Sequence, residues 1–264
     1  MLKRPICKEP SMKRLSVLAL SLVVVLSGTL SARAVTPVKN IVLVHGAFAD
    51  GSSWSKVIPL LQAKGYNVVA VQNPLSSLAD DVAATKRALA QMNGPVILVG
   101  HSWAGMVISE AGNDPKVAAL VYISALVPKK GQSASNATNG YPAAPGGAEI
   151  KPDAAGYLSM TSKGIDEDFV PELPAVERAV VYATQGPWNS AALSEKVVSP
   201  AWQLKPSWLI ADANDRMIPP QYEKDSAKYI HAKLTVLQAG HVPMLTMPDR
   251  VAAVIIDAAN SAGK

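Results

Sequence analysis

Apolar residues along this chain fall into short runs separated by polar, glycine-rich turns. The runs 40–44, 66–71, 96–99, 118–123, 207–211 and 234–237 are rich in Val, Ile and Leu. They are too short and too continuous for amphipathic helices, and read as strands buried on both faces. Between them lie segments with helical spacing. One follows Ser52-Ser53-Trp54 through Val57, Leu60 and Leu61 to Ala63, with Gly65 ending it. A second runs to about Met92 from a capping-box pattern, Ser77 with Asp80 three residues on. Others cover 104–112, a stretch starting near Pro220, and 248–259. Strand–helix alternation at this spacing predicts an α/β fold, a mostly parallel sheet flanked by helices.

The rhythm fails between about 126 and 200. Residues 128–147 are rich in Gly, Pro, Ala, Ser and Asn. Short helices are expected at 157–161, 176–183 and 190–196, and a turn at Pro187-Trp188-Asn189. No segment of this block reads as a strong strand. It is expected to be a small helical cap inserted after a sheet strand.

The strongest local pattern is Val96-Ile97-Leu98-Val99-Gly100-His101-Ser102-Trp103-Ala104-Gly105. A buried strand runs into a very tight turn and then a helix, with Ser102 at the apex. Such an elbow lifts a hydroxyl above the sheet and turns backbone N–H groups toward the same point. Side chains two before and two after the serine must be small, and Gly100 and Ala104 stand there. Ala104 departs from the glycine of G-x-S-x-G.

A serine nucleophile needs a base. His101 is too close in sequence to reach Ser102, His45 ends the first strand and is expected to brace the following loop, and His231 reads as a surface residue. His241 lies on a loop after the last strand, at the carboxyl edge where ligands bind in such sheets. The orienting acid is expected in the loop after strand 207–211, where Asp212 and Asp215 both stand. Asp212 at the strand tip suits tying down the loop; Asp215 has loop length enough to turn toward His241. The Trp103 N–H, by following the nucleophile, is one oxyanion donor, and a second is expected near Ala47 or Phe48, where Gly46 permits close approach. No zinc-ligand spacing, Gly-rich dinucleotide motif or phosphate loop occurs, so neither a metal nor a cofactor is expected.

The N-terminus alters the electrostatic picture. Lys13-Arg14, an apolar run at 15–30 and Ala32-Arg33-Ala34 form a secretory signal pattern with cleavage after Ala34. The full chain carries a formal charge of +5, but residues 1–34 hold six of its 25 basic groups and one of its 20 acidic groups. Residues 35–264 are therefore formally neutral, which gives no reason to expect nucleic acid or an anionic membrane as partner. The one cysteine, Cys7, lies in the leader. A periplasmic or secreted bacterial protein, without stable membrane association after cleavage, is expected.

Together, Val42-Leu43-Val44-His45-Gly46-Ala47-Phe48, the Ser102 motif, Asn214-Asp215-Arg216 and Gly240-His241-Val242-Pro243-Met244 resemble the α/β-hydrolase superfamily. They look most like its plant-type esterase and hydroxynitrile lyase branch and bacterial relatives. The resemblance covers 38–260 and implies Ser102 as nucleophile, His241 as base, Asp215 as acid, and Ala47 and Trp103 as oxyanion donors. The lyases of that branch carry Thr after the first histidine and Lys after the catalytic one; this chain has Gly46 and Val242, the esterase-like choices. The expectation is a serine hydrolase of small, largely apolar carboxylic esters or lactones working through an acyl-enzyme. A hydroxynitrile lyase or a triad-retaining binding protein is the alternative. Trp103, Phe48, Leu126, Tyr157, Trp188 and Met244 are candidates for an apolar pocket under the cap.

Overall fold

The computed structural model describes residues 1, 2, 5 and 38–262. The expected leader run at 15–30 and its cleavage point after Ala34 lie outside the described residues. Among the described residues, no helix is long and apolar enough to cross a membrane.

Six strands form the central sheet: β1 (Asn40–Val44), β2 (Asn67–Val71), β3 (Val96–His101), β4 (Val117–Ile123), β8 (Ser207–Asp212) and β9 (Lys233–Leu237). Their spatial order is β2-β1-β3-β4-β8-β9, and every pairing is parallel. The four inner strands are buried almost throughout, which explains why their sequences read as unbroken apolar runs. The helices are local consequences of sequence. Leu78–Ala90 starts where the Ser77 side chain accepts from the Asp80 N–H, and Pro220–Tyr229 and Pro248–Ser261 carry proline in the first turn.

The elbow depends on close packing around β3. Ser102 sits at φ 54°, a left-handed conformation that costs a serine energy and persists only where its surroundings enforce it. Its N–H donates to the Ile123 carbonyl at 3.1 Å. Its own carbonyl accepts from Gly105 at 3.0 Å and Leu126 at 3.1 Å. The elbow is thus tied to the end of β4. Ala104 is fully buried and fits. The strict requirement is at the next position, where a Cβ on Gly105 would fall on the Leu126 carbonyl oxygen.

Between β4 and β8 the chain leaves the sheet and builds the cap, which differs from the expected all-helical one. Residues 157–160 are not a helix but strand β6 (Tyr157–Met160), paired antiparallel with β5 (Ile150–Pro152) and β7 (Trp188–Asn189). The expected turn at 187–189 is this third strand. Two to four residues are too few to show a period of two. Here antiparallel partners from other segments, the more distant of them in β7 about 30 positions along the chain, supply the missing hydrogen bonds. The helix Ala175–Thr184 forms as expected, and Ser190–Ser194 is a tighter 3₁₀ turn.

The elbow packing gives a direct test. Gly105→Ala is expected to destabilise by about 3 kcal/mol or more, because the obstacle is backbone rather than a movable side chain. Gly147→Ala, where a Cβ meets nothing within 4 Å, is the control. Urea melts of both variants measure the difference, and equal midpoints would show that the Gly105–Leu126 approach is not tight.

Candidate active site

Three loops converge at the carboxyl edge of the sheet. The elbow after β3 raises Ser102, the loop after β8 carries Asp215, and the loop after β9 carries His241. The Ser102 Oγ lies 2.9 Å from His241 Nε2, and His241 Nδ1 lies 2.7 Å from Asp215 Oδ2. Asp215 is held from its other oxygen, which accepts from the Met217 N–H at 2.7 Å and the Ile218 N–H at 2.9 Å. With Nδ1 donating to the carboxylate, Nε2 presents its lone pair to the serine hydroxyl. His241 and Asp215 are both buried, so water does not compete for this line of hydrogen bonds.

Sequence reasoning left two candidate acids, and the geometry separates them. His241 Nδ1 meets Asp215, and Asp212 has other partners. One of its oxygens accepts from the Ser124 hydroxyl, and its N–H donates to Glu223 Oε2 at 2.7 Å. It ties the tip of β8 to Ser124, just past the end of β4.

The remaining histidines brace the site. His45 donates from Nδ1 to the Gly46 carbonyl at 2.8 Å, and its Nε2 accepts from the Asn73 N–H at 2.9 Å. Burial lowers its pKa, which suits this neutral form. His101 Nε2 donates to the backbone carbonyl of His241 at 2.9 Å. Complete burial, together with the neighbouring His241, holds His101 well below the ordinary histidine range. A neutral donor therefore fixes the His241 main chain from beneath. His231 is exposed, as expected.

Gly46 lets the loop after β1 close on the elbow: a Cβ there would come within 2.7 Å of the Ser102 Cβ. Among the described residues, the Ala47 and Trp103 backbone N–H groups have no protein acceptor. Both residues line the chamber at Ser102.

That chamber has a volume of about 170 Å³. Phe48, Trp103, Leu126 and Trp188 line it, as the sequence suggested. Trp188 packs against Trp103 at 4.8 Å and edge-on to Phe48 at 5.9 Å between ring centroids. Tyr157 and Met244 do not line it. Met244 lies on a helical turn directed into the core and is fully buried there, while Tyr157 is half-buried on the cap strand β6. Sequence reasoning missed Phe169, whose ring lies 5.4 Å from that of His241. It also missed Asp81, which accepts from the Trp103 indole N–H at 2.8 Å and fixes that ring. A signal for Asp81 was present: it shares the buried face of its helix with Leu78, Thr85 and Ala88, an unusual place for an acid. Burial raises its pKa to about 6.

The model of the alpha/beta hydrolase family matches residues 41–254. A pyrethroid hydrolase of Sphingobium wenxiniae is 27% identical over 262 residues, covering 85% of this chain and 89% of the relative. Salicylic acid-binding protein 2 of Nicotiana tabacum is 33% identical over 113 residues, covering 34% of this chain and 40% of the relative. The solved structure of a pyrethroid hydrolase from Sphingobium faniae matches the fold with a TM-score of 0.72, at 24% identity, over 85% of this chain and 98% of that one.

Two carboxyl groups lie behind the Asp215 loop. Burial drives the Asp212 pKa up to about 8 and that of Glu223 well above the ordinary range. The folded protein therefore keeps the Asp212 proton between the ordinary aspartate value of 3.8 and about 8, while the unfolded chain releases it. Across that window stability falls as pH rises, by about 1.4 kcal/mol per pH unit at most. Asp212→Asn removes this slope. Its melting temperature is expected to gain on the parent steadily from pH 5 to 8 and then level off. A difference independent of pH would show that Asp212 is ionised in the folded state.

Proposed function

The chain belongs to the α/β-hydrolase family, and on that footing we propose that it is a serine carboxylic-ester hydrolase of small, largely apolar esters or lactones, with Ser102, His241 and Asp215 as its triad. One observation carries the proposal: the unbroken line from Asp215 through His241 to the Ser102 hydroxyl, which opens into an apolar chamber.

In this reading, Ser102 Oγ attacks the ester carbonyl while His241 Nε2 takes its proton. The imidazolium is stabilised by Asp215, and the proton passes to the departing alcohol. The acyl group stays on Ser102 until a water, activated by the same nitrogen, releases it. The negative charge on the carbonyl oxygen develops next to the free N–H groups of Ala47 and Trp103, which need no rearrangement to receive it. The apolar walls favour uncharged substrates.

A lyase acting on cyanohydrins finds less support. The position after His241 is Val242, an apolar and buried residue, so no cation stands there to receive a cyanide leaving group.

The kinetic test is direct. Ser102→Ala should lose turnover of p-nitrophenyl acetate, and an organophosphonate should add its mass to Ser102 in the parent protein. Asp215→Asn should lower kcat by about 10²–10⁴ with KM little changed, because the imidazole loses its orienting partner and the acid does not touch substrate. Turnover that survives Ser102→Ala would overturn the assignment.

We also propose that the chain is exported and cleaved after Ala34, giving a periplasmic or secreted enzyme. The basic pair, the apolar run and the small residues at the cleavage positions support this. N-terminal sequencing of protein exported by a bacterial host should begin at Val35 or a close neighbour. Recovery of the uncleaved chain in the membrane would overturn it.

A further inference from the structure

A second cavity, of about 270 Å³, lies beside the Ser102 chamber and is the larger of the two. Its roof is the cap helix Ala175–Thr184, and its floor is the 49–56 segment with Val242 and Leu245. The two spaces share a wall, because Phe169 lines both. Val242 adjoins the base His241, and Ala49 adjoins Phe48 of the first chamber, so the second cavity runs behind the same loops that build the reactive centre.

Its chemistry is uneven in a useful way. Leu173, Val176, Val180 and Val181 give it an apolar ceiling. Its charged lining residues are Asp50, Lys56 and Glu177, and the last two pair at 2.6 Å between floor and roof. Of the roof helix no residue is buried, and Val176 and Val180 are 73% and 56% exposed. Apolar side chains at this exposure on a helix that roofs a cavity gain free energy when an apolar group covers them.

We propose that this cavity is the second arm of the substrate site, that it holds a long, uncharged hydrocarbon portion of an ester, and that Phe169 is the gate between the arms. The inference rests on the esterase reading and names its substrate class: esters with one short side seated in the Ser102 chamber and one extended apolar side reaching past Phe169. The small chamber alone cannot house both sides of such an ester. The one cation among the lining residues, Lys56, is already paired with Glu177, and Asp50 adds a negative charge, so an anionic tail is a poor occupant.

The test is the ratio of kcat/KM for p-nitrophenyl decanoate to that for p-nitrophenyl acetate. Val176→Trp and Val180→Trp add bulk at exposed positions of the roof, where folding tolerates it, and one or both should lower the ratio about tenfold, mainly through KM. Phe169→Ala, checked by thermal melt, should raise the ratio several-fold by joining the two spaces. Binding of decyl acetate to the Ser102→Ala variant, measured by calorimetry, should weaken in the same tryptophan variants, a readout independent of turnover. A ratio unmoved in both tryptophan variants, or one that fails to rise in folded Phe169→Ala, overturns the proposal. Failure of the esterase reading is distinguishable, because the parent protein would then turn over neither ester.

Discussion

The left-handed serine at the top of β3 is the constraint on which the rest depends. Held at φ 54°, Ser102 makes three main-chain hydrogen bonds, to the end of β4, to the segment after it and to its own helix, that depend on this conformation. The neighbours enforce this. Gly46 permits the first loop to press on the serine, and Gly105 permits the chain after β4 to pass against the first turn of the helix. The Ala47 and Trp103 N–H groups, which have no acceptor among the described residues, belong to the two loops that meet there. A site that can receive a negative oxygen is thus built from backbone, and its existence follows from packing rather than from any polar side chain.

Around that point the protein carries an expensive set of buried polar groups. His45, His101, Asp81, Asp212 and Glu223 are all buried, and burial shifts each toward its neutral form. Hydrogen bonds are what let them stay: an uncharged histidine braces the His241 main chain, Asp81 holds an indole, and Asp212 joins β8 to Ser124. Keeping His45 and His101 uncharged removes two like charges that would oppose an imidazolium at His241.

The cap joins this framework through specific ties as well as apolar contact. Arg216, next to Asp215, pairs with Asp168 of the cap at 2.7 Å, and Gly146 donates to the Arg216 carbonyl at 2.9 Å. Phe169 follows Asp168 directly and packs on His241. The acid loop, the base and the chamber wall are therefore held by one patch of cap, so the segment that shapes the pocket also steadies the reacting groups.

What the sequence determined by itself was whatever depends on local pattern. Continuous apolar runs specified the inner strands, the Ser77–Asp80 cap and the prolines set helix starts, and the strand–Gly-His-Ser–helix order marked Ser102. The loops after the last two sheet strands carried the acid and base candidates, because in such a sheet those loops must meet at one edge. Tertiary structure decided what rests on distance in space. Asp212 and Asp215 differ by three positions in sequence, yet Ser124 binds one and His241 the other. The cap strands β5, β6 and β7 exist because each supplies hydrogen bonds the others lack. Tyr157 and Met244 looked like pocket residues by type, and packing turned them elsewhere. Phe169 carried no mark of its own and Asp81 only its place on the apolar face of a helix, since their roles arise from the His241 ring and the Trp103 indole that folding brings beside them.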